Sequence, residues 1–201
     1  MKLSYSGTSP YVRKVMVSAH ELGLADRLEL VDTFVWDPAT DHGNVNPLGK
    51  VPALTLDDGY VLYDSPVICE YLDEMVPGVV LFPAPGKARW KALHFQALAD
   101  GIADAGVLRL LESRRAENEK SPKWIERQTT VIKRGLDRLE NEVDILAGGP
   151  LTIGKISVAC ALGWAIFRNS EEEIWGGRPK LKTWFEKFSE RPSMVKTAPK
   201  E

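Results

Sequence analysis

The hydrophobic pattern changes period several times in the first third of the chain. Residues 3–5 alternate as in a short strand, and apolar residues follow at helical spacing over 10–23. Residues 28–36 are rich in β-branched and aromatic side chains, which favours a second strand. The order strand, helix, strand predicts a βαβ unit with a parallel pair of strands.

A hairpin and a further helix are predicted next. Two apolar runs, 51–56 and 60–63, flank an Asp-Asp-Gly segment, and an Asp-Gly turn between such runs predicts antiparallel strands. Ser65 and Pro66 then predict the N-cap and first residue of a helix that a Pro-Gly pair ends. The first part of the chain is therefore predicted to fold as β-α-β followed by β-β-α.

The remainder shows helical spacing only. Helices are predicted over residues 87–117, 121–147, 152–167 and 179–190. The preceding segment is rich in Pro and Gly, as linkers are. The pattern thus predicts an α/β domain over residues 1–78, a linker over 79–86 and an all-α helical bundle over 87–201.

Composition and charge narrow the class of protein. The chain has 201 residues, with 26 Lys and Arg against 28 Asp and Glu, for a net charge of −2. Nucleic acids and anionic membranes are bound by clustered positive charge, so neither partner is expected. No apolar run approaches the length of a membrane span, and the start lacks the apolar stretch of a signal peptide. We expect a cytoplasmic protein whose partner is a small molecule or another protein.

The cysteines and histidines do not indicate a metal site. Cys69 and Cys160 lie in apolar helical patterns without metal or redox spacing, so buried, reduced thiols are expected. His20, His42 and His94 each lack a second ligand at helical spacing. No metal is therefore predicted.

Three ordered motifs carry a resemblance to a known family. They cover residues 6–14 after the first strand, 46–54 before the hairpin, and 63–68 at the start of the next helix. With these motifs the chain resembles a bacterial glutathione S-transferase of the serine type over nearly its whole length. The resemblance implies a thioredoxin-like N-terminal domain, a helical C-terminal domain and a homodimer.

A thiol transferase must generate thiolate at neutral pH, because the thiolate is the nucleophile and a free thiol has a pKa of about 8.5. A hydroxyl at a helix N-terminus can donate to the sulfur where the helix dipole also favours negative charge. The resemblance implies that Ser9, immediately before Pro10, is this hydroxyl, with Tyr5 as the alternative. Ser9 could instead serve only as the N-cap of the first helix, and Arg13 is expected on the helix surface.

The resemblance also implies the residues that bind glutathione. Val51, before a proline expected to be cis, would offer its backbone to the cysteinyl part. Asp64 would accept a hydrogen bond from the γ-glutamyl ammonium, and Ser65 would donate to its carboxylate. Lys50 would reach the glycyl carboxylate, and Asp100 would contact the γ-glutamyl group across a dimer.

An electrophile pocket is expected between the two predicted domains, along the first long helix. Candidate lining residues are Val107, Leu108 and Leu111, with Trp36 and Trp164 as further candidates, although each could be core instead. The resemblance implies a glutathione transferase that acts on a small hydrophobic electrophile in detoxification. The alternatives are a non-catalytic module that binds ligands or partners, and a glutathione-dependent reductase or peroxidase.

One departure from the family pattern lies in the helical part. The buried helix of the family begins with Ser or Thr followed three residues later by Asp, a reciprocal capping box. This chain has Thr152 and Lys155 at these positions. Because a lysine cannot accept the reciprocal hydrogen bond and places positive charge at the positive end of the helix, we expect Lys155→Asp to raise the melting temperature.

Overall fold

The computed structural model describes residues 1–78 and 81–200. In this part the elements are β1 (Lys2–Tyr5), α1 (Pro10–Glu21), β2 (Glu29–Asp32), β3 (Leu54–Thr55), β4 (Val61–Leu62), α2 (Ser65–Glu74), α3 (Lys87–Ser113), α4 (Pro122–Asn141), α5 (Val143–Ala147), α6 (Ile153–Arg168), α7 (Glu171–Trp175), α8 (Pro179–Ser189) and α9 (Pro192–Lys196). Residues 79 and 80 of the predicted linker, and residue 201, lie outside the described residues. The boundaries of the two predicted domains stay a prediction.

The four strands form one mixed sheet in the order β2-β1-β3-β4. β1 is parallel to β2, while β3 is antiparallel to both β1 and β4. The predicted βαβ unit, hairpin and fold class are thereby confirmed. The second strand is shorter than predicted, because its last partner in β1 is Tyr5, opposite Asp32, after which β1 turns into the loop before α1.

α1 is the most enclosed helix of the α/β part. It contacts α2 on one side and α6 and α9 on others. Its apolar residues, such as Val12 and Val15, belong to the same core as Leu3 of β1. The expectation that Arg13 lies on the helix surface is wrong: it is buried among these elements, and its guanidinium donates a hydrogen bond to the carbonyl of Met194 at 3.1 Å.

The helical part is organised around α3, which packs against α4 and α6. At Gly154 the helices approach so closely that a Cβ would lie 2.6 Å from the carbonyl oxygen of Ala92 on α3. A side chain at this position would push α3 and α6 apart. None of the helices in residues 1–78 and 81–200 is long and apolar enough to cross a membrane.

Several helix ends differ from the predicted ones. α3 ends at Ser113, and the helix predicted over 121–147 is divided at Glu142 into α4 and α5. α7 and α9 were not predicted, because five residues are too few to display a helical period. The N-cap of α2 is Asp64 in extended conformation, so the prediction of Ser65 as N-cap is wrong by one residue.

The described part of the predicted linker is tied back to the α/β part. The buried Asp73 carboxylate accepts hydrogen bonds from the backbone N–H groups of Leu81 at 2.7 Å and Phe82 at 3.1 Å. The carbonyl of Leu81 in turn accepts from the N–H of Ile153 at the start of α6, at 2.9 Å. One carboxylate on α2 and one backbone hydrogen bond therefore connect the sheet layer to the helical part.

The start of α6 does not form the capping box. The Thr152 side chain makes no capping hydrogen bond. Lys155 is only 9% exposed, and its ammonium donates to the carbonyls of Ala147 at 3.2 Å and Gly149 at 2.9 Å. Lys155 thus satisfies carbonyls at the end of α5, a role that an aspartate cannot take over.

The expected effect of Lys155→Asp is therefore reversed. The variant should lower the free energy of unfolding by about 1–3 kcal/mol, because two carbonyls lose their donor. Thermal unfolding should show this as a lower melting temperature, by about 2–4 °C per kcal/mol. Lys123→Asp, in the exposed first turn of α4, is the matched control and should be neutral or slightly stabilising. An increase in melting temperature for Lys155→Asp would contradict this account.

The end of α1 is joined to α9 by an ion pair. Arg191 donates to both oxygens of Glu21, with Nε–Oε1 at 2.9 Å and a guanidinium nitrogen 2.6 Å from Oε2. The hydrogen bonds from Arg191 hold the pKa of Glu21 below its ordinary 4.5. A carboxyl whose pKa is lowered in the folded state stabilises the protein above its unfolded-state pKa and loses that contribution as the pH falls.

Glu21→Gln should consequently reduce the free energy of unfolding by about 1 kcal/mol at neutral pH. The difference from the wild type should shrink as the pH falls below 4.5 and vanish once Glu21 is protonated in both states. Urea unfolding over a pH series measures this. Glu190→Gln, at an exposed glutamate with no ion pair among the described residues, is the control. A pH-independent difference for Glu21→Gln would show that the pair does not titrate as described.

Candidate functional site

The loop between β1 and α1 borders a cavity of about 200 Å³. Tyr5, Ser6 and Ser9 line it from the loop, and Arg13 lines it from α1. The far side is formed by Leu30 of β2 and by Lys196 and Thr197 at the end of α9. Both hydroxyls predicted to activate a thiol, those of Ser9 and Tyr5, therefore border the same cavity.

Ser9 is the N-cap of α1, as one of its two interpretations predicts. Its Oγ accepts a hydrogen bond from the N–H of Val12 at 3.3 Å, and Pro10 occupies the first helical position. A serine hydroxyl has one proton to donate in addition to the lone pairs that accept. Within the described residues no acceptor takes the Ser9 proton. The capping role therefore leaves the Ser9 hydroxyl able to donate to a bound group.

The segment before β3 presents the backbone of Val51. The Val51–Pro52 peptide bond is cis, as the resemblance implies. In the part of the chain that the structure describes, neither backbone polar group of Val51 has a backbone hydrogen-bond partner. The side chain of Lys50 is exposed and forms no ion pair with a described residue.

Two side chains that the sequence analysis did not select fix this segment. The carbonyl of Lys50 accepts hydrogen bonds from Nδ2 of the fully buried Asn46 at 2.7 Å and from Nε2 of the buried His42 at 2.9 Å. Because a carbonyl only accepts, His42 carries its proton on Nε2. Asn46 Oδ1 also accepts from the N–H of Leu48 at 3.0 Å. His42 thus has a structural role, since it positions the residue before Val51.

Asp64 and Ser65 lie together at the start of α2. The Tyr63–Asp64 peptide bond is cis. Ser65 is 1% exposed, and its hydroxyl makes no hydrogen bond within the described residues. The N–H groups in the first turn of a helix have no partner within the helix, so this end of α2 offers donors to an anion.

Asp100 is paired within its own chain. Both of its carboxylate oxygens accept from the ammonium of Lys14 at 2.8 Å, although the Lys14 side chain is only 1% exposed. One turn along, Asp104 accepts from the hydroxyl of Tyr11. Burial raises the pKa of Asp100, and Lys14 offsets only part of this effect. The contact of Asp100 with glutathione across a dimer stays a prediction.

The charge of Asp64 also acts on Tyr11, which bonds to Asp104. Burial, the hydrogen bond to Asp104 and the charges of Asp104, Asp100 and Asp64 all raise the pKa of Tyr11, which is therefore a phenol that remains protonated. Asp104 accepts from Tyr11 and Asp100 from Lys14, whereas Asp64 acts on Tyr11 through its charge. No group of three or more His, Cys, Asp or Glu side chains in residues 1–78 and 81–200 is arranged to hold a metal ion.

Trp164 positions the β1–α1 loop from the helical part. It is 4% exposed, and its Nε1 donates to the carbonyl of Thr8 at 3.0 Å. A Cβ at residue 106 would collide with the indole, so Gly106 on α3 makes room for it. The residue before Ser9 is thus held by a side chain from α6.

The residues predicted to line an electrophile pocket do not meet the Ser9 cavity. Val107 and Leu111 are half-buried on α3, and Leu108 is 43% exposed. Trp36 is 60% exposed, and none of these four side chains lines the cavity. Their role as a pocket for the second substrate stays a prediction.

Neither cysteine is a candidate nucleophile. Both thiols are free and buried. Burial raises the pKa of Cys69 to about 11 and that of Cys160 to about 12, so neither is a thiolate near neutral pH. The expectation of buried, reduced cysteines is confirmed.

The predicted glutathione-binding residues lie on the opposite side of β1 from the Ser9 cavity. Leu30 of β2 contributes to the cavity, whereas Val51 precedes β3, and these two strands flank β1 on opposite sides. Lys50, Asp64 and Ser65 likewise do not line the cavity. The loop that carries Ser9 follows β1, between the two regions.

Both parts of the chain match models of one protein family. Residues 8–75 match the family model of the glutathione S-transferase N-terminal domain, and residues 122–187 match that of the glutathione S-transferase C-terminal domain. The chain belongs to the glutathione S-transferase family. The resemblance of its three motifs to the glutathione S-transferase family is confirmed, and so is the fold class of a mixed-sheet domain followed by a helical domain.

Several similar proteins align with this chain over nearly its whole length. A glutathione transferase family member from Pseudomonas fluorescens Pf-5, solved with bound glutathione, is 45% identical with a TM-score of 0.94 and is matched over 100% of this chain and 99% of that one. A glutathione S-transferase from Methylobacillus flagellatus KT, solved with glutathione bound, is 36% identical with a TM-score of 0.91 over 99% of both chains. The uncharacterized GST-like protein YibF of Escherichia coli K12 is 33% identical over 99% of this chain and 98% of that protein.

The pairing of Lys14 with Asp100 yields a stability prediction. Asp100→Asn leaves a buried ammonium without its carboxylate, and we expect the free energy of unfolding to fall by about 3 kcal/mol. Urea unfolding without glutathione measures this directly. Asp104→Asn is the control, because an amide oxygen can still accept from Tyr11, and its loss should be smaller. Wild-type stability for Asp100→Asn would show that this pair does not hold α1 to α3.

Proposed function

We propose that this protein is a glutathione transferase in which Ser9 stabilises the thiolate of glutathione for attack on a small hydrophobic electrophile. The observation that carries the proposal is the position of the Ser9 hydroxyl. It caps α1 and keeps a proton for which no acceptor exists among the described residues. A donor at a helix N-terminus favours a nearby anion, and each unit by which the thiol pKa falls corresponds to about 1.4 kcal/mol.

Glutathione binds, in this proposal, along the β3 and α2 side of the β1–α1 loop. The unpaired backbone of Val51 pairs with the cysteinyl part, as an added strand would. Ser65 and the free N–H groups of α2 bind the γ-glutamyl carboxylate, and Asp64 accepts from its ammonium. The exposed Lys50 reaches the glycyl carboxylate. The similar Pseudomonas and Methylobacillus proteins were solved with glutathione, which supports this assignment.

The chemical step is nucleophilic substitution or addition by sulfur. The thiol proton passes to solvent, and Ser9 donates its hydroxyl hydrogen bond to the resulting sulfur anion. A sulfur lone pair then forms the new S–C bond. In a substitution the electron pair of the broken bond leaves with the leaving group. In an addition the electron pair of the broken π bond takes up a proton from water. The positive charge of Arg13, one helical turn after Ser9 in α1, also favours the anion.

We further propose that the protein acts in the cytoplasm, as a homodimer, in the detoxification of electrophiles. The two free, buried cysteines are those of a protein from a reducing compartment. In a homodimer Asp100 contacts the γ-glutamyl group of the partner subunit through the lone pairs that Lys14 leaves free. Val107, Leu108 and Leu111 of α3 are the proposed contacts of the electrophile.

The test is the ultraviolet absorbance of the glutathione thiolate against pH, with glutathione affinity measured alongside. The wild type should lower the thiol pKa by about 1 unit or more from its free value. Ser9→Ala should lose this shift while glutathione still binds. Ser6→Ala, which removes another hydroxyl from the same cavity, is the matched control and should keep it.

Other results would overturn parts of the proposal. An unchanged shift in Ser9→Ala together with its loss in Tyr5→Phe would move the activating role to Tyr5. Absence of glutathione binding in the wild type would reject the transferase and leave a non-catalytic module that binds other ligands or partners. Turnover of disulfides or peroxides without transfer to electrophiles would indicate a reductase or peroxidase.

A further inference from the structure

A second cleft lies on the helical part and shares no residue with the cavity beside Ser9. Its volume is about 310 Å³, at the lower end of the range for small-molecule sites. It forms where the turn between α5 and α6 meets α8 and the start of α9. Its principal side chains are Leu151, Lys155, Trp184, Lys187, Phe188 and Arg191.

One wall of this cleft is aromatic. Trp184 and Phe188 lie one turn apart on α8, with ring centroids separated by 5.1 Å and planes inclined by 29°. Trp184 is half-buried and Phe188 is buried, and Leu151 adds a further apolar contact. Such a wall favours a flat, apolar group that can stack or pack against it.

The polar side chains of the cleft are all cationic. No Asp or Glu is among its lining residues, which include Lys155, Lys187 and Arg191. Arg191 is neutralised by Glu21, but neither lysine has a carboxylate partner among the described residues. The cleft therefore combines an aromatic wall with two positive charges that are not compensated.

Lys155 retains an unused donor in this setting. Two of the three N–H bonds of its ammonium are directed to the carbonyls of Ala147 and Gly149, and no acceptor among the described residues takes the third. Burial, and the nearby charge of Arg191, lower the pKa of Lys155. An anion in the cleft would offset both the burial and the repulsion between these cations.

We propose that this cleft is a binding site for a small aromatic carboxylate, separate from the glutathione site. The ring packs against Trp184 and Phe188. The carboxylate accepts hydrogen bonds from the ammonium groups of Lys155 and Lys187. This combination accounts for the aromatic wall, the uncompensated charge and the unused donor together.

The first experiment is calorimetric titration of the protein with 2-naphthoate. A parallel titration uses 2-naphthamide, which has the same ring and no charge. Naphthoate should bind about tenfold more tightly than the amide, as one well-placed charged hydrogen bond would provide. Saturating S-methylglutathione should leave naphthoate affinity unchanged, because none of the proposed glutathione contacts lines this cleft.

Variants then assign the site. Lys187→Gln, at an exposed side chain whose replacement leaves the core intact, should weaken naphthoate about threefold. Lys155→Gln should weaken it about tenfold, and neither change should affect the amide. Lys182→Gln is the control, since Lys182 lies on the same helix but pairs with Glu186 at 3.8 Å, and naphthoate should bind it as it binds the wild type.

Three results would overturn the proposal: no binding of naphthoate to the wild type, displacement of naphthoate by S-methylglutathione, or equal affinities of Lys187→Gln and the wild type for naphthoate. The exposed Lys187 variant keeps the test decisive even if Lys155→Gln is too unstable to titrate.

Discussion

The first turn of α1 is held from the helical part of the molecule, and the position of Ser9 depends on this. The ammonium of Lys14 pairs with Asp100 of α3, and the indole of Trp164 on α6 donates to the carbonyl of Thr8. The first turn of a helix has N–H groups without partners in the helix, so it frays unless other groups fix it. Contacts across the two parts of the fold thus order the turn that carries the candidate catalytic hydroxyl.

The same helix connects two chemically different clefts. Its N-terminus carries Ser9 and borders the first cavity. Its C-terminal Glu21 binds Arg191, which lines the cationic cleft beside α8. Burying Lys14 is costly unless its charge is compensated, and Asp100 supplies that compensation. The pairs that Lys14 and Glu21 of α1 form therefore fix the position of α1, and of both clefts beside it, relative to the helical part.

The sequence predicted the order of helices and strands well, because the spacing of hydrophobic residues and the positions of Gly and Pro that end an element are local features of the chain. It did not predict contacts between distant residues. The burial of Lys14 and its pairing with Asp100 were not predicted, since the partner lies 86 positions away. Lys155 reads as a defective cap, since the carbonyls it satisfies belong to the preceding turn. His42 and Asn46 were missed as positioning residues although the Asn-Pro motif was visible, because their contacts with the carbonyl of Lys50 depend on the loop conformation and not on a periodic pattern. Glutathione-binding motifs stood out only through resemblance to a family.

The most direct test of this account is amide hydrogen exchange of Arg13 N–H, which bonds to the carbonyl of Ser9, in the wild type and in Trp164→Phe. Loss of the hydrogen bond to Thr8 should loosen the first turn of α1 and speed this exchange about fivefold, as expected for a contact worth about 1 kcal/mol. Exchange of Leu3 N–H in β1 should stay as in the wild type. Unchanged exchange at Arg13 would contradict the claim that the helical part orders the turn carrying Ser9.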